Sequence, residues 1–196
     1  MARNNLELVS DDADADADAD AAWLDGLAAK NRGSLRVNGV STYVPVPNSD
    51  SLNGGFEKLT LALWVNLDQL PADMENGFGG IFDSVEDSYV LYLDKGNNEL
   101  RFKVSATGAE RPGIPATSLM TGAWLHVAGV YDGAAGTAKI YLNGELMDTH
   151  GGPTGLVKMG QVAAIGRNGA TAENPFSGSV DDVAIWSEAL TDAQIA

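Results

Sequence analysis

The sequence predicts an all-β protein, a two-sheet antiparallel β-sandwich, and three observations lead to this class. Many segments alternate apolar and polar residues with a period of two. Turns rich in Gly and Pro separate these segments, and after Gly33 only 185–195 has a helical pattern, of at most one short turn. A parallel α/β sheet is excluded, because the crossover helices that its strands need are missing.

Residues 1–29 are predicted to form an acidic, flexible N-terminal tail or linker, and residues 30–196 one globular domain. The tail carries DDADADADAD at 11–20, whose small side chains bury too little to offset the entropy cost of ordering them. Calcium binding by this repeat is the weaker alternative. In an EF-hand frame, Ala17 stands where Gly is needed and Trp23 where Glu is needed.

A short helical turn is predicted at 21–29, and strands follow from Gly33 onward. The segment LTLALWVNL and the segment LRFKV each place alternate apolar residues on one face, with Arg101 and Lys103 on the other face of the second segment. The Asn143-Gly144 pair is the strongest hairpin signal, because such turns need positive φ. Further strands are predicted at 34–38, 42–46, 80–85, 89–94, 124–131, 161–166 and 179–186.

Composition excludes several functions. The formal net charge of -15 over 196 residues opposes binding to nucleic acid or to an anionic lipid surface. No apolar run approaches the roughly 20 residues that span a bilayer, and the first residues lack a secretory signal pattern. Cysteine is absent, so disulfides and thiolate chemistry are excluded. We expect either part of an exported protein, extracellular or at the cell surface, or a virion protein.

Six sequence blocks follow one another in order: GSLRVNGVSTYVPVPNSDSL, LTLALWV, GAWLHVAGVYDG, KIYLNGELM, AAIGRN and PFSGSVDDVAIW. Over about residues 33–195 this order resembles the laminin G-like domains of the concanavalin A-like lectin/glucanase superfamily. The resemblance implies a jelly roll with one concave and one convex sheet. It also implies that Trp64, Trp124 and Trp186 fill the sandwich or cover its edge.

The resemblance further implies a structural calcium ion where the first and last strands meet. The ligands carried over are Asp181 and the Asn38-Gly39 turn. The family's turn commonly reads Asp-Gly, so this sequence lacks one carboxylate there. The alternative is that Asp181 accepts hydrogen bonds within a turn, and both stay open because oxygen-only sites have no sharp signature. No organic cofactor is expected, since phosphate-binding and nucleotide motifs are missing.

The sequence does not predict an enzyme. Glycosidases need two carboxylates flanking the scissile bond, and the laminarinase-like string Glu-x-Asp-x(x)-Glu, known from relatives in the superfamily, does not occur. The nearest acidic cluster, at 83–87, has the wrong order and is predicted to lie in a hairpin loop. His126 is predicted to be packed within a strand and His150 to be exposed, which leaves few candidates for acid-base chemistry.

Ligand contacts are predicted at the loops, because rigid sandwiches carry variable function there. Three loops are long and polar: 71–80, 105–118 and 167–176. Ordinary exposed loop is the alternative for each of them. Arg111 is favoured most, because Pro112 stiffens the chain behind a guanidinium that can bind in a bidentate manner. The candidate ligand-binding residues are Phe78, Glu110, Arg111, Arg167 and Asn168.

The leading functional prediction is a non-catalytic recognition module that binds a glycan or a surface protein, within an adhesin or a polysaccharide-handling protein. The acidic tract favours it, because a linker implies a neighbouring domain. The alternative is a structural or adsorption protein of a phage virion, in a capsid decoration or a tail, whose sandwich edges contact other virion proteins. The start at Met1, the missing signal and the absence of cysteine fit this alternative equally well.

Overall fold

The computed structural model describes residues 9–10, 23–24, 34–47, 49, 52, 55–84, 88–157, 162–169, 171 and 173–196. A short helix, α1 (Asp192–Ile195), lies near the C-terminus, and 3₁₀ turns lie at Pro71–Asp73 and Ala116–Ser118. The strands are β1 (Val9–Ser10), β2 (Trp23–Leu24), β3 (Ser34–Asn38), β4 (Thr42–Val46), β5 (Lys58–Leu67), β6 (Phe78–Ser84), β7 (Tyr89–Asp94), β8 (Glu99–Ser105), β9 (Ala109–Glu110), β10 (Gly113–Pro115), β11 (Trp124–Asp132), β12 (Thr137–Leu142), β13 (Glu145–Gly151), β14 (Ala163–Ile165) and β15 (Ser177–Trp186).

The strands form two antiparallel sheets. The eight-stranded sheet has the order β1-β4-β14-β6-β7-β8-β10, with β9 paired to β8, and the seven-stranded sheet has the order β13-β12-β11-β5-β15-β3-β2. The predicted all-β sandwich is therefore confirmed. None of the helices in the described part of the chain is long and apolar enough to cross a membrane.

The core lies between the two sheets. Leu100, Phe102 and Val104 of β8 are fully buried, as their alternation predicts, while the residues between them are partly exposed. The sheets approach so closely at Gly129 of β11 that a Cβ there would lie 2.3 Å from the ring of Phe102. Only glycine fits at this position, because a packed interior does not yield by that much.

The N-terminal part differs from the prediction at two places. β1 pairs with β4 and β2 pairs with β3, so both short strands lie within the predicted tail. The helical turn predicted at 21–29 is wrong at Trp23 and Leu24, which form a strand. Pairing with a sheet edge gives hydrogen-bond partners to backbone N–H and C=O groups that an isolated helical turn would leave without any. The tract at 11–20 lies outside the described residues, and the boundary between tail and domain stays a prediction.

The three tryptophans expected to fill the sandwich or cover its edge are not in the core. Trp64 and Trp124 are half-buried and Trp186 is 40% exposed, on the outer face of the seven-stranded sheet. Their neighbours in the same strands, such as Leu63, face the core, and a period of two then turns the tryptophans outward. His126 lies among them, partly packed as predicted, with its ring centroid 5.2 Å from that of Trp64.

Residues 187–196, here called the C-terminal segment, cover part of this outer face. Thr60 donates a hydrogen bond to the Glu188 carbonyl at 2.7 Å and accepts one from the Leu190 N–H at 3.0 Å. The Tyr141 hydroxyl donates to the Asp192 carboxylate at 2.7 Å. Underneath, a second apolar cluster contains Ala62, Ala128, Val130, Tyr141 and Ile195.

Candidate ligand-binding groove

An open groove of about 530 Å³ lies on the outer face of the eight-stranded sheet, over β6, β7 and β8. We call it the outer groove. Its floor is built from side chains that alternate with core residues, since the neighbours of Tyr92 in β7, Leu91 and Leu93, are both buried in the core. The lining residues used below are Phe78, Tyr92, Asp94, Arg101, Arg111 and Asn168.

Strand register places the polar and aromatic residues of the groove side by side. Tyr92 pairs with Gly80 of β6 and with Arg101 of β8. Asp94 lies two residues further along β7 and pairs with Phe78. Residues directly opposite each other in antiparallel strands have Cβ atoms about 4.5–5.5 Å apart. The floor therefore carries an aromatic pair next to charged groups.

The described residues of the loop 166–176 form one wall of the groove, to which Asn168 and Asn174 contribute. A Cβ at Gly80 would lie 2.9 Å from the carbonyl carbon of Arg167, so glycine at this position lets the loop lie directly on the sheet. The Gly80 N–H also donates to the Asn174 carbonyl at 2.8 Å. These contacts hold Asn168 and Asn174 at the rim of the groove.

The aromatic pair consists of Phe78 and Tyr92. Their ring centroids are 5.8 Å apart in an edge-on arrangement, and Phe78 is 46% exposed. Burial, together with the nearby Asp94 carboxylate, raises the pKa of the Tyr92 phenol above its ordinary value, so the hydroxyl stays protonated. Aromatic rings beside fixed hydrogen-bonding groups suit a ligand that has an apolar face and many hydroxyls.

The charged groups of the floor are held in place by one another. The Arg101 Nε donates to Glu99 at 2.7 Å, and its Nη1 lies 3.7 Å from the Asp94 carboxylate. Burial lowers the pKa of Arg101, but the hydrogen bond and charge of Glu99 outweigh it and the net direction is upward. Asp94 also accepts hydrogen bonds from the backbone and the side-chain amide of Asn97, at 3.1 and 2.8 Å. This network fixes the positions of the polar groups.

The outer groove brings together three of the predicted ligand-binding residues, Phe78, Arg111 and Asn168. Arg167 contacts the Tyr43 ring instead, with its guanidinium carbon 3.3 Å from the ring centroid. Glu110 is also outside the lining, because its carboxylate lies 2.9 Å from Nδ1 of His150.

His150 bridges the edges of the two sheets. Its Nδ1 faces Glu110 of β9, and its Nε2 lies 3.2 Å from the Asp148 carboxylate of β13. The prediction that His150 is exposed is therefore only partly right, since the ring lies between two carboxylates and its side chain is 39% exposed.

The sequence-based selection of loops missed Tyr92, Asp94 and Arg101. The signal for them is present in the two segments YVLYLD and LRFKV, where most outward positions of adjacent strands, all but Val90, are aromatic or charged. Selecting loops alone passes over these positions, because they lie within strands rather than between them.

The acidic cluster at 83–87 is not entirely a loop. Asp83 and Ser84 are the last residues of β6, while residues 85–87 lie outside the described part of the chain. Pairing with β7 and β14 keeps Asp83 in the sheet. It lines the groove and accepts a hydrogen bond from the Asn168 amide at 3.3 Å.

The predicted calcium ligands do not converge. The Asn38-Gly39 turn lies beside Ser177, because Asn38 and Ser177 are paired in register. Asp181 follows four residues later along β15, which at about 3.3 Å per residue places it roughly 13 Å away. One ion cannot be bound by both, so these residues do not fit a shared calcium site.

The oxygens of these residues already have other partners. The Asn38 Oδ1 accepts from the N–H groups of residues 40–42, at 2.9 to 3.1 Å. Asp181 accepts from the Asp182 N–H at 2.8 Å, which agrees with the alternative of a hydrogen-bonded turn, and burial raises its pKa. Among the described residues, no three His, Asp or Glu side chains are grouped to hold a metal. Calcium binding elsewhere in the protein stays a prediction.

Comparison with known proteins gives a family and several similar folds. A laminin G family model of the concanavalin A-like lectin/glucanases superfamily matches residues 38–196. Functionally characterised proteins give no significant match. Among solved structures, a candidate carbohydrate-binding protein from Bacteroides ovatus is 25% identical, with a TM-score of 0.58 over 72% of this chain and 40% of that chain.

Two further structures share the fold at lower identity. Domain 4 of AbnA, an extracellular arabinanase from Geobacillus stearothermophilus solved with arabinotriose, is 22% identical, with a TM-score of 0.65 over 97% of this chain and 85% of that chain. The receptor-binding domain of botulinum neurotoxin mosaic serotype C/D is 16% identical, with a TM-score of 0.72 over 97% of this chain and 44% of that one. The chain thus spans less than half of the Bacteroides and neurotoxin chains. The matches to the Geobacillus domain and to the neurotoxin domain concern the fold alone.

Proposed function

Because the chain belongs to the concanavalin A-like lectin/glucanase superfamily, we propose that it is a non-catalytic recognition module that binds a glycan in the outer groove. The observation that carries this proposal is the Phe78–Tyr92 pair with Asp94 and Arg101 directly beside it. A sugar ring has an apolar face that packs on aromatic rings and hydroxyls that need fixed donors and acceptors.

The groove is suited to binding because its polar groups are already ordered. Arg101 is held by Glu99, and Asp94 is held by Asn97. Side chains that are ordered before binding lose less conformational entropy when the ligand arrives. The floor lies on hydrogen-bonded strands of one sheet, which favours recognition of one ligand shape.

Similar proteins support a glycan as the ligand. The protein from Bacteroides ovatus that is 25% identical to this chain is described as a candidate carbohydrate-binding protein. The Geobacillus domain, which shares the fold, was solved with arabinotriose. Neither comparison identifies a site in this chain, so the choice of the outer groove depends on its own chemistry.

We propose binding without catalysis because the carboxylates of the groove have structural partners. Asp94 accepts two hydrogen bonds from Asn97 and faces Arg101, and Asp83 accepts one from Asn168. A glycosidase needs one carboxylic acid free to protonate the leaving oxygen and a second carboxylate opposite to it. Carboxylates engaged in this way are better suited to orienting a ligand than to transferring protons.

A matched pair of alanine variants tests the site. Phe78→Ala removes an exposed aromatic ring of the groove, and Trp186→Ala removes a similarly exposed ring, 40% against 46%, from the other sheet. We expect a glycan array to identify ligands and calorimetry to give a Kd that rises about tenfold in Phe78→Ala and is unchanged in Trp186→Ala. Equal effects of the two variants, or none, would contradict the site.

The wider context is part of the same proposal. We place the module outside the cell or at its surface, within an adhesin or a polysaccharide-handling protein, with a virion protein as the alternative. Repeating the array with EDTA tests whether calcium takes part. If no glycan binds and the chain forms a symmetric assembly that buries well over ~1,000 Å² per contact, the virion alternative is favoured.

A further inference from the structure

We propose that the glycan bound in the outer groove is acidic, and that its carboxylate or sulfate groups pair with Arg111 at the rim. This inference rests on the proposed function, because it names the class of glycan for the same groove. It follows from the distribution of charge around the groove and from the partners of each cation.

The cations of the groove lie on one side. Arg101 and Lys103 project from β8, and Arg111 lies just beyond it, before β10. The opposite side carries Asp83 and the amide of Asn168. Three of the 12 basic residues of a chain with net charge -15 thus meet at one edge of one groove. A ligand is therefore oriented, with any anionic group toward β8.

Arg111 differs from Arg101 in its partners. Arg101 is engaged by Glu99 and Asp94, whereas Arg111 is exposed and has no hydrogen bond or ion pair with another residue in the described part of the chain. A guanidinium binds a carboxylate or sulfate through two parallel hydrogen bonds. Arg111 is accordingly the cation that gains the most new hydrogen bonds and charge pairing when an anionic ligand binds.

The backbone around Arg111 is anchored, so its side chain starts from a fixed position. The carbonyl of the next residue, Pro112, accepts a hydrogen bond from the Phe102 N–H at 3.0 Å. Gly113 pairs with Arg101, and its N–H donates to the Asp148 carboxylate at 3.0 Å. An anchored loop lowers the entropy cost of binding through this arginine.

The acids elsewhere on the protein do not prevent this contact. Salt screens charges beyond about 8 Å at physiological ionic strength, so the distant acids that make the chain negative act weakly at the rim. Asp94, in the floor, accepts hydrogen bonds from Asn97 and faces Arg101 at 3.7 Å, which reduces its repulsion of an anionic ligand. An acidic sugar can therefore place its uncharged ring on Phe78 and Tyr92 while its charged group meets Arg111.

Ligands that differ only in charge test the inference. We would measure Kd by calorimetry for polygalacturonate and for its methyl ester, which has the same backbone without the charge. Chondroitin sulfate and unsulfated chondroitin distinguish sulfate from carboxylate, and arabinan is a neutral reference. We expect polygalacturonate to bind at least about tenfold more tightly than its ester. Tighter binding of chondroitin sulfate than of unsulfated chondroitin would also support an acidic ligand, with sulfate as the recognised group.

Variants then assign the effect to Arg111. Arg111→Gln is expected to raise the Kd for the acidic ligand about tenfold and to raise the Kd for a neutral ligand clearly less, because only the acidic ligand loses a charge-assisted contact. Lys58→Gln, which removes a cation of the seven-stranded sheet that is 41% exposed, is the matched control and is expected to change neither.

The two proposals fail in different ways. Equal affinity within both pairs, polygalacturonate with its ester and chondroitin sulfate with chondroitin, or an unchanged Kd for the acidic ligand in Arg111→Gln, would overturn the inference about acidic glycans while binding in the groove stands. If no glycan of either class binds, or if Phe78→Ala has no effect on those that do, the proposed groove function is itself overturned.

Discussion

The outer faces of the two sheets carry different side chains. On the eight-stranded sheet the outward residues include aromatic and charged side chains, such as Tyr92 and Arg101, and the face forms an open groove. On the seven-stranded sheet the outward residues include Ala128 and Val130, and the C-terminal segment covers them. This apolar part of the outer face is covered by the chain itself, because leaving such side chains in water costs free energy.

The loop beside the groove and the C-terminal segment also differ in how they are attached to the sheets. The loop 166–176 borders the groove through backbone hydrogen bonds to β6, such as that from Gly80 to Asn174. The C-terminal segment instead depends on the burial of Ile195 and on the hydrogen bond between Tyr141 and Asp192. Changes at these two places should therefore separate stability from ligand binding.

The largest effect on stability is expected for Ile195→Ala. Ile195 is 7% exposed and fills the cluster under the C-terminal segment, so its truncation should lower the free energy of unfolding by about 2 kcal/mol. Urea unfolding measures this loss, and glycan affinity should not change. Leu156→Ala, at a side chain that is 57% exposed, is the control and should stay within about 0.5 kcal/mol. Equal stability of both variants would show that the segment is not packed as described.

A smaller loss of stability, with loss of binding, is expected for Gly80→Ala. The new Cβ would lie 2.9 Å from the Arg167 carbonyl carbon, so the loop 166–176 must shift. Crowding of this kind should cost about 1 kcal/mol, the low end for overpacking because a loop can yield, and should weaken glycan binding. Gly77→Ala has no atom within 4 Å of the new Cβ and is the matched control. Unchanged binding in Gly80→Ala would mean that this wall takes no part in recognition.

The smallest effect is expected for Asp192→Asn, and it depends on pH. Hydrogen bonds from Tyr141 and Lys139 hold the pKa of Asp192 below its ordinary value of 3.8. A carboxylate whose pKa is lower in the folded state stabilises the protein above that value, and the contribution is lost as the pH falls through the folded-state pKa. The stability gap between wild type and variant should thus be widest near neutral pH and shrink in acid.

Urea unfolding at neutral and acidic pH tests this last prediction. In a Tyr141→Phe background the Asp192→Asn substitution should have a smaller effect, because the principal hydrogen bond is already missing. A gap of the same size at both pH values would argue against a stabilising role for the ionised form of this carboxylate.

The fold could be predicted because its signals are local. Alternation with a period of two assigned Phe102 inward and Arg101 outward, and the turn at Asn143 and Gly144 has the expected positive φ values of 50° and 85°. The family resemblance implied that Trp64 fills the sandwich or covers its edge, whereas alternation places it on the outer face, since its neighbours on both sides are buried.

The candidate site was only partly predictable, because it depends on register. Arg111 and Asn168 meet in one groove although they are far apart in the chain, and nothing local in either loop indicates this. The same limit explains the calcium prediction, since whether Asp181 lies near Asn38 is decided by the pairing of β15 with β3. Outward residues of neighbouring strands are a better guide to such a surface than loop length.

The close contact between Gly129 and Phe102 has a practical consequence for spectroscopy. An aromatic ring displaces the magnetic resonance of hydrogens lying next to it, and a glycine offers two α hydrogens that no side chain shields. The Gly129 signals should therefore stand apart from those of other glycines for as long as the two layers remain docked. A single well-resolved resonance would then follow their separation during denaturation, independently of whether any sugar is present.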